Sequence, residues 1–335
     1  MKELKREPGI YILETEIFCV GNEIKTICIP LYYHDNILYL LSMNENNNWE
    51  KVRMSLKNFD AVTEETIFDE VAKIRLSLSA IENSSIHKLV KLHLNYGQRY
   101  TSIYRPVFTE DFIDNYFVPY INNRPARTFY HDLQIEDVLE YSNRLRQLEI
   151  VLDDLDSVFK TIAPCRANKK AYGHALRNII LISCTEIDMM MKHIMERNHY
   201  KQNKDHYSTK DYIKLLNALR LNQYQVGFKR FNSSIYSPYW RWNNSATTKS
   251  LWWYDAYNEV KHDREMNFKR ANLGNAINSV MAFAVLLIAQ YGYRNELWSE
   301  HVGKVIHVIK EPQWELNDFY IDCSNGCEHI SYPFP

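Results

Sequence analysis

Residues Leu273–Tyr291 read LGNAINSVMAFAVLLIAQY, a stretch without a single charged side chain. Its longest unbroken apolar run, Val280–Ala289, covers ten residues, about half of the ~20 that a bilayer-spanning helix needs. The stretch is therefore expected to be a helix buried in a soluble core, and no membrane partner is expected. A second apolar segment, Leu176–Met195, is apolar almost all the way round between Ala175 and Met191, as a helix enclosed by others must be. Two such helices set the centre of a helical domain in the second half of the chain.

Other elements gather around them. A helical period runs from Glu136 to about Lys160 through Leu145, Leu148, Leu152 and Leu155, and Pro164 stops it. The enclosed helix spans about Lys169–Asn198, a short one is expected over Ser208–Leu219, and Phe228–Ser250 reads as an ordered aromatic loop. The opening differs. YILETEIFCV, IKTICIPLYY, ILYLLSM and WEKVRMSL, separated by Gly21-Asn22, Asp35-Asn36 and Asn44–Asn48, read as an antiparallel meander. Helical spacing follows in Glu64–Ala80 and again in Ile86–Leu94. The fold class is α+β: an N-terminal antiparallel β-meander with helices (1–130), an all-α helical bundle (131–297) and a short β-like C-terminal extension (298–335).

Composition narrows the function. The 335 residues carry 24 Tyr, 14 Phe and 7 Trp, ample for a large core. Only 9 Gly occur, with no GxGxxG or GxxxxGK[ST] run, so Gly-rich phosphate loops are excluded. A formal net charge of −1 gives no global attraction to nucleic acid, and any polyanion site must be local. The opening MKELKREPG is followed by no apolar signal segment, and six scattered cysteines fit reduced thiols, so a cytoplasmic location is expected. Cys323, Cys327 and His329 offer three ligands at a spacing that does not match a zinc site. No metal or cofactor is expected.

The densest cluster of chemistry is Leu251–Phe268, LWWYDAYNEVKHDREMNF, just before the long apolar helix. As a helix it places Tyr254, Asn258 and His262 on one face. His262 is the side chain here whose ordinary pKa lies near neutrality, which makes it the candidate proton-transfer group. A basic patch, Lys160, Arg166, Lys169, Lys170 and Arg177, precedes the first apolar helix with no acid between Thr161 and Thr185. It has two readings: a phosphate-binding surface, or a solvated face offsetting the acidic helix before it.

The pairing of LISCTEIDMMMKHIM (Leu181–Met195) with the Trp252–Leu287 segment resembles the HEPN superfamily, over roughly Glu136–Tyr293. The resemblance implies a helical bundle that acts on or binds RNA, in bacterial defence or toxin–antitoxin systems, as a homodimer. It also implies metal-independent endoribonuclease chemistry. His262 would be the acid/base group, Asn258 the polar motif residue and Glu186 a carboxylate orienting His262. The family's R-x4-6-H arginine is absent, because Tyr257 stands at the first allowed position. Arg264, Arg241 or a partner subunit is left to supply it, with Lys169, Lys170, Arg177, Tyr257 and Lys261 as substrate-binding candidates. Formal matches to the motif at Arg124…His131 and Arg294…His301 are no more than chance provides. The dimer surface is expected on Lys169–Asn198 or Leu273–Tyr291. The alternative is a catalytically silent HEPN-like dimerisation scaffold whose N-terminal domain binds a protein partner or ligand.

Overall fold

The computed structural model describes residues 6–19, 23–44, 49–75, 78, 83–108, 135–202, 205–230, 234–321, 323 and 326–335. Contacts divide the chain into two units: 1–99, 105–129 and 314–329 in one, 100–104, 130–313 and 330–335 in the other.

In the first unit, β1 (Gly9–Cys19), β2 (Glu23–His34), β3 (Ile37–Met43) and β4 (Trp49–Arg53) form the expected meander. Asp35 and Asn36, both with positive φ, close the β2–β3 hairpin, the conformation that a tight two-residue turn demands. The helix α1 (Glu64–Ile74) begins at Thr63, whose hydroxyl accepts the Thr66 N–H. Its expected extension to Ala80 runs largely into residues outside the described set, as do the Gly21-Asn22 break and Arg124…His131.

The helix expected over Ile86–Leu94 is instead a strand, β5 (Asn83–Lys91), antiparallel to β1 with Leu13 opposite Leu89. The apolar positions there satisfy either period. The open edge of β1 decides between them, with His87 stacked on Phe68 of α1 and Ile86 on the exposed side. The resulting sheet runs β4-β3-β2-β1-β5. Both faces are covered: Tyr11, Leu13 and Ile29 meet Phe68 and Val71 of α1, while Ile10, Ile12 and Trp49 meet Phe108 and Ile321.

The second unit contains α2 (Ile135–Phe159), α3 (His174–Arg197), the single turns α4 (Thr209–Tyr212) and α5 (Leu215–Ala218), α6 (Trp252–His262), α7 (Arg264–Asn267), α8 (Leu273–Tyr291) and α9 (Glu296–Glu300). Its small antiparallel sheet has β6 (Gln225–Phe228) between β7 (Ile235–Tyr236) and β8 (Ile306–Lys310). The central helix is α8, which packs against α2, α3 and α6 and buries every side chain from Ser279 to Tyr291. It is long and apolar enough to cross a membrane by composition, yet 89% of its apolar window is buried inside the unit. For the same reason α8 has no apolar face to share with another subunit, so that half of the expected dimer surface is corrected.

Two further expectations change. The helix expected from Lys169 starts at His174, because the main chain just before it is engaged elsewhere: Leu273 donates to the Ala171 carbonyl and Gly173 to that of Ala271. Lys169 and Lys170 stand in a 3-10 turn. The 298–335 stretch, expected as one extension, is apportioned between the two units. Ile321 joins the sheet unit's core, whereas β8 completes the helical unit's small sheet.

The adjacent tryptophans separate as neighbours on a helix must, about 100° apart. Trp253 is 0% exposed and its indole N–H donates to the Pro238 carbonyl at 2.9 Å, while Trp252 is half-buried. Replacing Trp253 with Ala should destabilise the helical unit by about 3–5 kcal/mol, and Trp252→Ala by much less. Urea denaturation of the two single variants checks this.

Candidate functional site

The face of α6 that carries Tyr254, Asn258 and His262 grades from core to solvent: Tyr254 is buried, Asn258 half-buried and His262 exposed. On the same turn as His262, the guanidinium of Arg177 reaches across from the first turn of α3. Its Nε and Nη2 donate to the Val260 carbonyl at 3.4 and 3.3 Å. Carbonyls at a helix C-terminus carry partial negative charge, and Arg177 neutralises one of them. Its Nη1 meets no acceptor among the described residues. Lys261 completes the turn, with Nζ 3.1 Å from the Tyr257 hydroxyl and over its ring. The hydrogen bond to that hydroxyl, helped by the Asp188 carboxylate, raises the pKa of Lys261 and keeps it cationic. The acids of α6 are engaged elsewhere, since Arg270 binds Asp255 at 2.9 Å and also pairs with Glu259.

Tyr257 does not present itself to a substrate. It is 3% exposed and its hydroxyl is held between Lys261 and the side of α3 that carries Asp188. Glu186 does not orient His262 either. It points to α2, where Arg144 Nη1 lies 2.7 Å away, and on that same side His193 Nδ1 lies 2.9 Å from Glu140. Two residues along a helix turn a side chain by about 200°, so the carboxylate facing α6 is Asp188.

Asp188 accepts the Tyr254 O–H at 2.5 Å. Lys192, one turn further along α3, pairs with Glu196 at 3.6 Å and not with Asp188. Burial raises the Asp188 carboxyl above its ordinary range, partly offset by Tyr254, Lys261 and Tyr257. Asp188 in turn adds to the burial that raises the Tyr254 hydroxyl.

Arg264 lies at the start of α7, and Arg241 is an exposed residue whose guanidinium covers the Trp240 ring at 4.4 Å. Arg294 and His301 are both committed to acids, Glu311 and Glu149. Lys169 and Lys170 are exposed on the wall of a cavity of about 440 Å³ at the start of α8. Among the described residues no cluster of three or more His, Cys, Asp or Glu is placed to hold a metal. The structure thus places Lys261, His262 and the carbonyl that Arg177 binds on the last turn of α6, with Asn258 one turn back. Asp188 replaces Glu186 beside α6, which the sequence could reveal only through the 200° rule once Glu186 had a partner.

No protein-family model, no curated protein and no solved structure matches this chain.

Asp188 makes a pH prediction. Below the ordinary Asp value, 3.8, folded and unfolded states are both protonated. As pH rises the unfolded state ionises first, so wild-type stability falls until pH passes the raised folded value. Asp188→Asn keeps an acceptor for Tyr254 and removes the titration. Its stability relative to wild type should therefore rise with pH across that window, as read from urea midpoints between about pH 3.5 and 7.

Proposed function

We propose that this is a HEPN-like, RNA-acting protein in which His262 is the acid/base group of a metal-independent endoribonuclease. The observation that supports it is the last turn of α6, where His262 is exposed, Lys261 precedes it, Arg177 reaches the Val260 carbonyl, and Asp255 and Glu259 are paired with Arg270. In this chemistry His262 takes the proton of a ribose 2′-hydroxyl. The freed oxygen attacks the adjacent phosphorus, the bond to the 5′-oxygen breaks, and the protonated His262 returns the proton to that departing oxygen as a 2′,3′-cyclic phosphate forms. Charge on the phosphoryl oxygens builds up during the attack, and fixed cations stabilise it best where it builds up. Arg177 fills from α3 the role for which the family motif uses an arginine at the place of Tyr257. A role in bacterial defence or toxin-type response belongs to this reading.

The second reading is a catalytically silent scaffold, with the N-terminal unit binding a protein partner. Burial of Tyr257 at the motif position favours it. In both readings the protein is a homodimer. The surface for it is α3, where Ile182 and Met189, seven residues apart and so on one face, are 37% and 48% exposed.

Purified protein should cleave single-stranded RNA with EDTA present, and His262→Ala should abolish cleavage while leaving the melting curve intact. Arg177→Ala should slow cleavage by about 10²-fold. Wild-type protein that neither cleaves nor binds RNA would leave the scaffold as the remaining reading. Light scattering at micromolar concentration should give a dimer mass, and Met189→Glu should shift it toward monomer.

A further inference from the structure

The cavity of about 440 Å³ at the start of α8 is assembled from separate segments: Lys169 and Lys170 from the 3-10 turn, Trp240 from the loop after β7, Trp252 from α6, and Asn275 and Asn278 from α8. Its volume suits a single small ligand. Among the described residues no Asp or Glu lines it, and neither lysine has an acidic partner. The site is therefore cationic although the chain as a whole is not. Two indoles on the walls are flat, polarisable surfaces for a ring, and base–aromatic stacking contributes about 1–3 kcal/mol per base.

Asn275 adds an independent observation. It is 7% exposed and donates its amide N–H to the Arg270 carbonyl at 2.9 Å. Its side-chain oxygen accepts from no described residue, although the residue is on the cavity wall. Asn278 similarly donates to Gly274 at 2.7 Å and leaves its amide oxygen without a donor among the described residues. Two unused acceptors suit the amino and hydroxyl donors of a base and a ribose. The cavity also opens at the positive end of a 19-residue helix, which favours an anion there. Cations, rings and acceptors in one pocket of this size fit a phosphate joined to a sugar and a flat base.

We propose that this cavity binds one nucleoside 5′-monophosphate, its base on Trp240 and Trp252 and its phosphate on Lys169 and Lys170. The same unit exists free and as the 5′-phosphorylated end of an RNA. The proposal does not require cleavage at His262, which does not line the cavity.

Isothermal titration of the full chain with AMP and UMP, each compared with its nucleoside, tests the proposal. The nucleotides should bind about tenfold or more tightly than the nucleosides, since charge-assisted phosphate contacts are the strong ones. The Lys169→Gln/Lys170→Gln variant should remove that preference. Trp252→Ala should weaken nucleotide and nucleoside alike, and Trp240→Ala, at an exposed ring, provides the same readout should Trp252→Ala fail to fold. His262→Ala should bind as wild type does, which separates this result from the fate of the nuclease reading. An RNA octamer with a 5′-phosphate that binds well above its 5′-hydroxyl form and above AMP would identify the RNA end as the source. Equal affinity of AMP and the phosphorylated octamer would identify the free nucleotide. No binding of AMP or UMP at millimolar concentration, or binding that the double lysine variant leaves unchanged, overturns the proposal.

Discussion

The constraint on which the helical unit depends is the burial of α8 on all sides. A helix that is apolar around its whole circumference loses stabilisation wherever water reaches it, so α2, α3 and α6 must all be laid against it. Within it Ser279 donates to the Ala276 carbonyl and Gln290 to the Tyr291 hydroxyl, while the buried Gln290 Oε1 has no hydrogen-bond partner among the described residues. The buried Tyr239, from the loop leading to α6, reaches in to the Ala282 carbonyl at 3.1 Å. The aromatic loop is thus a wall of the core, and this explains why 234–251 is ordered without much regular structure of its own.

Once α8 is enclosed, the orientation of α3 follows from its carboxylates. Apolar residues cover so much of α3 that hydrophobicity alone leaves its rotation loosely specified. Charge specifies it more sharply. Glu186 and His193 face α2, where Arg144 and Glu140 receive them, while Asp188 faces α6 and its tyrosines. A partly buried carboxylate that loses its partner costs far more than an exposed ion pair contributes, so the two sides of α3 are not interchangeable. The arrangement that blocks Glu186 from His262 is therefore the one that sets the helix in place.

How much of this was legible in the sequence depends on the range of the interaction concerned. The meander, α2, α3 and α8 follow from periodicity within one segment, and all four lie close to where the sequence places them. The strand β5 did not follow, because the Ile86–Leu94 pattern is settled by a vacant edge on β1 that no local window contains. In the candidate site, the face shared by Asn258 and His262 was readable from spacing alone. The bond from Arg177 to Val260 joins residues 83 apart in sequence, and the cavity draws on residues from Lys169 to Asn278. Neither leaves a spacing motif. The patch from Lys160 to Arg177 was visible as charge, but whether it was solvated or functional depended on what the rest of the chain placed against it.

What stands against it is the start of α8. The pairing of Ala171 and Gly173 with Leu273 and Ala271 ties the residues before α3 to the start of α8, so both helices begin at one end of the bundle. Only Asp263–Asn272 separates the end of α6 from the start of α8, and Arg177 bonds α6 to α3 at the same end. Two positive helix termini therefore converge with Lys169, Lys170 and Arg177, while Lys160, at the end of α2, pairs with Asp156. A nearly neutral chain can in this way concentrate positive potential on a single surface, and its range is set by the Debye length, about 8 Å in physiological salt.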